Sequence, residues 1–319
     1  MQILIFGKDG QLGKSFKSLF DSLSFPQQVH IQYVGREQCD LVNGSALESL
    51  LNQSQADLII NASAYTAVDK AESELDLAFA INAMAPEIMA KYAAKHGTTF
   101  LHYSTDYVFD GEKYGFYLED DVRNPLGVYG KSKAAGEEAI TRVFACFPTG
   151  QYAILRTSWV YGDGGNFIRT ILRLAKEREE LKIISDQYGV PTSADWLAQV
   201  SLDLVLSSQG HLNSFPSGIY HAVPDGETTW HGLATSAVRA ALDLGVALKT
   251  APTAIKAIST LEYPVPAPRP KNSRMSSDKL QAVLSLSKSY NGLLKTQGFP
   301  HWEPMVHEYI RKLANNGLV

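Results

Sequence analysis

Cysteine is scarce: the 319 residues hold two, Cys39 and Cys146, far apart and without a C-x-x-C partner. Both read as core or surface thiols of a chain kept in a reducing cytoplasm. No basic tract interrupts the sequence and the net charge is −4, which argues against nucleic acid as the main partner. No apolar run approaches the roughly 20 residues that span a bilayer, so no membrane partner is expected. The opening MQILIFG lacks a charged n-region and a cleavage-site pattern, so it does not read as a signal peptide. Internal repeats and low-complexity stretches are missing too. What remains is an ordinary globular composition, 45% hydrophobic and 19% charged, in a chain long enough for one large α/β domain or two subdomains. These absences leave a cytoplasmic enzyme or binding protein.

Short apolar runs alternate with helical spacing through the first half. Residues 2–6, 29–34, 56–63, 98–105 and 152–162 read as strands. Residues 11–23, 73–97 and 132–144 read as helices, the second closed by Gly97. This alternation predicts an α/β, Rossmann-like, doubly wound parallel sheet with helices on both faces. Ligands of such sheets sit beyond the carboxyl ends of the strands. After residue 160 the pattern loosens into helices at 166–179 and 194–208, a further sheet strand at 218–223 and a Pro-rich loop at 263–273. We expect a nucleotide-binding Rossmann domain over 1–160 plus about 194–223. A smaller interleaved C-terminal substrate lobe is expected over 161–193 and about 224–319.

The residues after each strand carry the chemistry. GKDGQLG follows the first strand, with Gly7, Gly10 and Gly13 in G-x-x-G-x-x-G spacing. Glycine lets backbone approach a pyrophosphate, and the helix that follows offers free N–H groups. The whole turn, including Asp9, Gln11 and Leu12, is therefore assigned to a dinucleotide. After the second strand stands Gly35-Arg36, with no acid until Glu37; Asp40 and Leu41 follow. Arginine here favours a 2′-phosphate, hence NADPH over NADH. After the third, Ala62, Ser63 and Ala64 leave room for a flat ligand, and Tyr65, Thr66 and Val68 face the cleft. The fourth strand ends in Ser104, Thr105 and Asp106.

Then comes VYGKSKAAGEEAI, with Tyr129 and Lys133 one helical turn apart. With 15 tyrosines in the chain, about one Tyr-x-x-x-Lys arises by chance, so the pair means little alone. Together with Thr105 it is the set a carbonyl reductase needs. The phenol gives a proton to the oxygen as hydride arrives, the ammonium lowers the phenol pKa, and the hydroxyl holds the carbonyl in line. Asp69, Glu72 and Glu74 read as a helix N-terminus favoured by its dipole, and no acidic cluster is assigned as metal ligands.

The motifs GKDGQLG, NASAYTAVDKAE, INAMAP, YSTDYVFDG, PLGVYGKSKAAGE, RTSWVYG, NFIRTIL, SDQYGVPTS and RPKNSRM run in order across nearly the whole chain. In this order they resemble the extended short-chain dehydrogenases/reductases, within them the family of dTDP-4-dehydrorhamnose reductases. The resemblance implies NADPH-dependent reduction of the C4 keto group of a dTDP-linked 6-deoxy sugar, the last step of dTDP-rhamnose biosynthesis. It implies Thr105, Tyr129 and Lys133 as catalytic residues, Lys133 also holding the nicotinamide ribose, with Asn82 behind the site. It places Trp159 on the sugar, and Asn166 and Arg269 where the nucleotide-sugar is held. The family usually has alanine where Ser63 stands. Some members are linked to Mg2+; a homodimer is entertained as the assembly. Two other readings stand beside this one. One is a reductase of another nucleotide-linked 4-keto sugar, the other a non-catalytic regulatory subunit like that of methionine adenosyltransferase.

Overall fold

A strand without a polar face is stable only when both faces are covered, which is the condition of a parallel sheet between helices. The computed structural model describes residues 1–25, 28–147, 149–286 and 299–319. Its main sheet has six parallel strands: β1 (Gln2–Phe6), β2 (His30–Val34), β3 (Leu58–Asn61), β4 (Thr99–Thr105), β5 (Gln151–Thr157) and β6 (Gly218–His221). They lie in the order β6-β5-β4-β3-β1-β2. The chain leaves β1 toward β2 on one side and resumes at β3 on the other. That reversal opens a crevice at the carboxyl ends of β1 and β3.

The helices are α1 (Gln11–Ser22), α2 (Gly44–Ser54), α3 (Ala85–His96), α4 (Val128–Cys146), α5 (Phe167–Glu177), α6 (Ala194–Val205), α7 (Trp230–Asp243), α8 (Asp278–Leu286) and α9 (Trp302–Asn315). Alternate residues of the sheet feed two cores. Ile3 and Ile5 pack with Phe16 of α1, Leu197 of α6 and Leu280 of α8. Leu4 and Phe6 pack with Leu47 of α2, Met89 of α3 and Ile140 of α4. All four β1 side chains are at most 1% exposed; each contributes roughly 1.5–3 kcal/mol by leaving water. A third core gathers α5, α7 and α9 around Leu172, Leu233 and Val306. A parallel pair, Leu181–Ile184 with Ile255–Ile258, joins it.

Several expectations change in detail. The long helix expected at 73–97 is three pieces: Leu75–Phe79, a π turn at Ala80–Met84, and α3. Gly97 does close it, in the left-handed region at φ 70. The strand expected to run to 162 stops at Thr157, and Val160–Tyr161 pairs instead with Thr192–Ser193. Helix α4 starts at Val128, four residues before the expected start, so Tyr129 and Lys133 share it. Helices α2, α7 and α9 were not anticipated. Helix α8 was expected in the smaller lobe, but Leu280 and Leu284 lie in the sheet's own core. Residues 287–298 of the expected lobe lie outside the described residues.

Candidate active site

Strand β1 ends and α1 begins within four residues, so the backbone packs closely at two of the glycines. Gly7 sits at φ +84, and a Cβ there would stand 2.7 Å from the Ala62 backbone. A Cβ on Gly13 would stand 2.1 Å from the Gly7 carbonyl oxygen, so this glycine lets α1 press against the turn. Gly10 caps α1 without any side-chain bond, and the first turn of α1 carries no acid. The N–H groups there stay free and the positive end of the helix dipole faces the crevice. A cleft of about 700 Å³ opens at this point. Gly7, Asp9, Gly10, Gln11 and Leu12 line it, with Arg36, Asp40 and Leu41 after β2 and Ala62, Ser63, Ala64, Tyr65 and Thr66 after β3. Glycine backbone plus an uncapped helix start is what a dinucleotide's pyrophosphate requires, so the residues fit such a group.

Arg36 is 80% exposed in its side chain and pairs loosely with Asp40 at 3.6 Å. Both therefore stay available at the rim. A second cation was missed: the Lys8 stem lies beside Gly35, within 2.5 Å of where a Cβ would stand. Its signal was its place inside the glycine turn. Among the described residues, no group of three or more His, Cys, Asp or Glu stands ready to hold a metal ion.

The far end of the same cleft is closed by Tyr129 and Lys133 on α4, with Ser104 and Thr157 from the ends of β4 and β5. The Ser104 and Thr157 hydroxyls are buried without a hydrogen-bond partner, which marks them as ready for a polar ligand group. Thr157 was missed although it stands in RTSWVYG, two residues before Trp159. The start of α4 is held from outside: Glu72 accepts from the Val128 N–H at 2.8 Å. The Tyr107 ring meets Tyr129 edge-on, centroids 5.5 Å apart. The Thr105 hydroxyl donates to Asp106 at 2.9 Å and accepts from the Tyr107 N–H at 3.2 Å. Burial pushes the Tyr129 phenol up to about 12; the Thr105 hydroxyl pulls it down and the Asp106 charge adds to the rise.

The expected lowering of that pKa by Lys133 does not occur here, because the amine points elsewhere. Its Nζ donates to the Tyr103 carbonyl at 2.5 Å and lies 3.3 Å from His102 Nε2. Burial brings Lys133 itself down to about 8, against the pull of Glu137. Burial likewise raises Asp106 to about 6, with the Ser273 and Thr105 hydroxyls opposing.

Other expected site residues are bound into the scaffold and do not line the cleft. Asn82, 1% exposed, clamps Tyr65 by its N–H at 2.9 Å and its carbonyl at 3.0 Å, and also donates to Ser132. It sits behind the cofactor wall, carried on the π turn; such turns are frequent at functional sites. Trp159 stacks on Trp230, centroids 3.7 Å apart, with its own φ at 47. A tryptophan in that left-handed region is a local strain. Asn166 caps α5 by accepting from Arg169 N–H at 3.1 Å, and donates to Tyr309 at 2.9 Å. Arg269 makes a two-pronged bond to Asp69 at 2.8 and 2.9 Å, holding that carboxyl below its usual range. Val68 begins a one-turn helix, Val68–Ala71. Of the expected substrate residues, Thr66 alone lines the cleft.

The acids read as helix-start residues have other work. Asp69 binds Arg269, Glu72 caps α4, and Glu74 accepts from the Tyr65 hydroxyl at 2.6 Å. The helix-start reading holds for Asp69, in the first turn of Val68–Ala71, and for Glu74, before Leu75–Phe79, but not for Glu72, which ends the former helix.

Residues 1–312 match the family described as RmlD substrate binding domain. The dTDP-4-dehydrorhamnose reductase of Escherichia coli K12 is 41% identical over 292 residues, 90% of this chain and 93% of that one. A Clostridium acetobutylicum dTDP-4-dehydrorhamnose reductase structure superposes with a TM-score of 0.83 at 33% identity, covering 98% of this chain and 100% of that one. The Bacillus anthracis reductase, solved in complex with NADP, gives 0.81 at 30% identity with the same coverage.

Proposed function

The chain belongs to the family of dTDP-4-dehydrorhamnose reductases, and from that premise we infer how its cleft works. It is an NADPH-dependent oxidoreductase of dTDP-rhamnose biosynthesis, reducing the keto group of dTDP-4-dehydrorhamnose. The observation that carries the reading is one continuous cleft with a bare helix start at one end and Tyr129 with Lys133 at the other.

NADPH, when bound, supplies the hydride for C4. Gly7, Gly10 and the start of α1 hold its pyrophosphate, and Arg36, aided by Lys8, holds the 2′-phosphate that distinguishes it from NADH. Tyr129 gives its proton to the C4 oxygen. A buried phenol pushed to about 12 is fully protonated at neutral pH, the form a reduction consumes. Thr105, held by its bond to Asp106 and by the Tyr107 N–H, stands beside the phenol and fixes where Tyr129 points. Ser104 and Thr157 hold a polar edge of the nicotinamide. Thr66 and, after some release from their present partners, Trp159, Asn166 and Arg269 hold the nucleotide-sugar. Free thiols at Cys39 and Cys146 suit a reducing cytoplasm.

The test is NADPH oxidation followed by absorbance with dTDP-4-dehydrorhamnose and a panel of other nucleotide-linked 4-keto sugars. Turnover is expected to be fastest with the dTDP-linked sugar. Equal rates with UDP- or GDP-linked analogues would remove the nucleotide assignment, and no oxidation with any of them would remove the reductase reading. Light scattering on the same preparation checks the homodimer.

A further inference from the structure

Beneath the cleft, β3 and β4 pair Asn61 with His102, both without exposed surface. Lys133 reaches down to this pair from α4. His102 Nδ1 lies 3.1 Å from Asn61 Nδ2, and His102 Nε2 lies 3.3 Å from Lys133 Nζ. Which end of the Asn61 amide faces the ring is decided by a backbone group. The Ser63 N–H can only donate, and it reaches Asn61 Oδ1 at 3.2 Å; the Ser63 hydroxyl reaches the same oxygen at 2.5 Å. The amide nitrogen, which only donates, therefore faces His102, so Nδ1 must accept. Burial and the lysine charge hold the ring far below its ordinary value, so it is neutral. A neutral imidazole that accepts at Nδ1 carries its proton on Nε2. That N–H points at the lysine.

We propose that His102 is a positioning residue for Lys133: locked by Asn61 as the Nε2–H tautomer, it presents a donor to the amine and so favours its uncharged form. The proposal rests on the catalytic reading of Lys133 and adds to it a residue that lies below the cleft and lines no part of it. The remaining ionisable groups around the amine are few. Glu137, one turn further along α4, favours the charge. Its carboxylate is already held by Arg156 at 2.8 and 2.7 Å and by Arg123 at 3.3 Å. Tyr129 on the same helix and Asp106 after β4 stand at the same end of the cleft. The Tyr103 phenol turns away to Ser201. His102 is thus the group in direct contact whose hydrogen-bond sense opposes the ammonium. Ser63 adds a second donor to Asn61 Oδ1 through its hydroxyl and tightens the lock.

Two measurements decide it. With 15N-labelled histidine, the His102 ring, assigned by its disappearance in His102→Gln, should show Nε2 protonated and Nδ1 bare from about pH 6 to 9. An Nδ1–H ring or a charged ring overturns the proposal. In His102→Gln the side chain can turn its carbonyl to Lys133, so the Lys133 titration, read at its 13Cε resonance, should rise by about one pH unit, tenfold in proton affinity. The alkaline limb of kcat should move with it, and an unmoved midpoint also overturns the proposal. Neither resonance needs turnover: a chain that bound but did not reduce the sugar would refute the catalytic reading while leaving this test standing. If His102→Gln does not fold, the ring is assigned through Asn61→Ala and the tautomer in the unaltered chain decides alone.

Discussion

The glycine end of the cleft presents backbone, and the tyrosine end presents side chains nearly all committed to one another. At the first, the start of α1 leaves N–H groups free because Gly10 caps it without a side-chain bond. At the second, Thr105, Asp106, Tyr107 and Tyr129 form one bonded and stacked group, with Lys133 tied below to His102 and Tyr103. An open backbone site accepts a ligand without rearrangement, whereas a buried polar network has its protonation states set by burial. The contrast predicts that changes at the catalytic end alter rate and pH behaviour, and changes at the glycine end alter cofactor affinity and packing.

Tyr129→Phe should give the largest effect. Losing the acid is expected to lower kcat by about 10²–10⁴-fold while NADPH affinity, titrated by fluorescence, stays within about threefold. A mutant with near-normal turnover would erase the difference between the two ends. Asp106 comes next. Its folded pKa of about 6 lies above the ordinary 3.8, so the native state binds the extra proton. The associated stability is present below the ordinary value and lost as pH rises through about 6. The rise from 3.8 to about 6 corresponds to about 3 kcal/mol. Asp106→Asn should lack this loss, so its urea midpoint should gain on the unaltered protein between about pH 4 and pH 7.5. A constant difference across that range would mean the carboxyl is not desolvated as the structure has it.

Gly13→Ala should cost about 1–3 kcal/mol of stability from overpacking against Gly7 and weaken NADPH binding. Unchanged thermal unfolding and unchanged affinity would mean the turn has slack. The smallest effect is expected at the exposed rim. Arg36→Ala should raise the Michaelis constant for NADPH by about tenfold, 1.4 kcal/mol, and leave that for NADH alone. Equal changes for both cofactors would remove the phosphate role.

The same contrast explains what could be read without coordinates. Glycine turns, strand runs and Tyr-x-x-x-Lys are local patterns, so β1, α1, the parallel sheet and the Tyr129–Lys133 face were legible. The break of the 73–97 helix at a π turn was not read. Pro86, which has no N–H to give the Asn82 carbonyl, was the local sign of a break and went unread; the bonds from Asn82 to Tyr65 and Ser132 that accompany the turn are long-range. Trp159, Asn166 and Arg269 were recognisable as conspicuous residues, yet their partners Trp230, Tyr309 and Asp69 stand 71, 143 and 200 positions away. No spacing rule reaches that far.

What the sequence by itself determined is the run of parallel strands, the bare phosphate turn and the pairing of a phenol with an amine on one helix. Those follow from short-range sterics and a 3.6-residue period. The tertiary structure decided how that pair is charged. Lys133 turns from Tyr129 to His102 because two strands bring Asn61 and His102 side by side beneath it. Burial, which only the packed chain creates, then sets which of these groups keeps its proton.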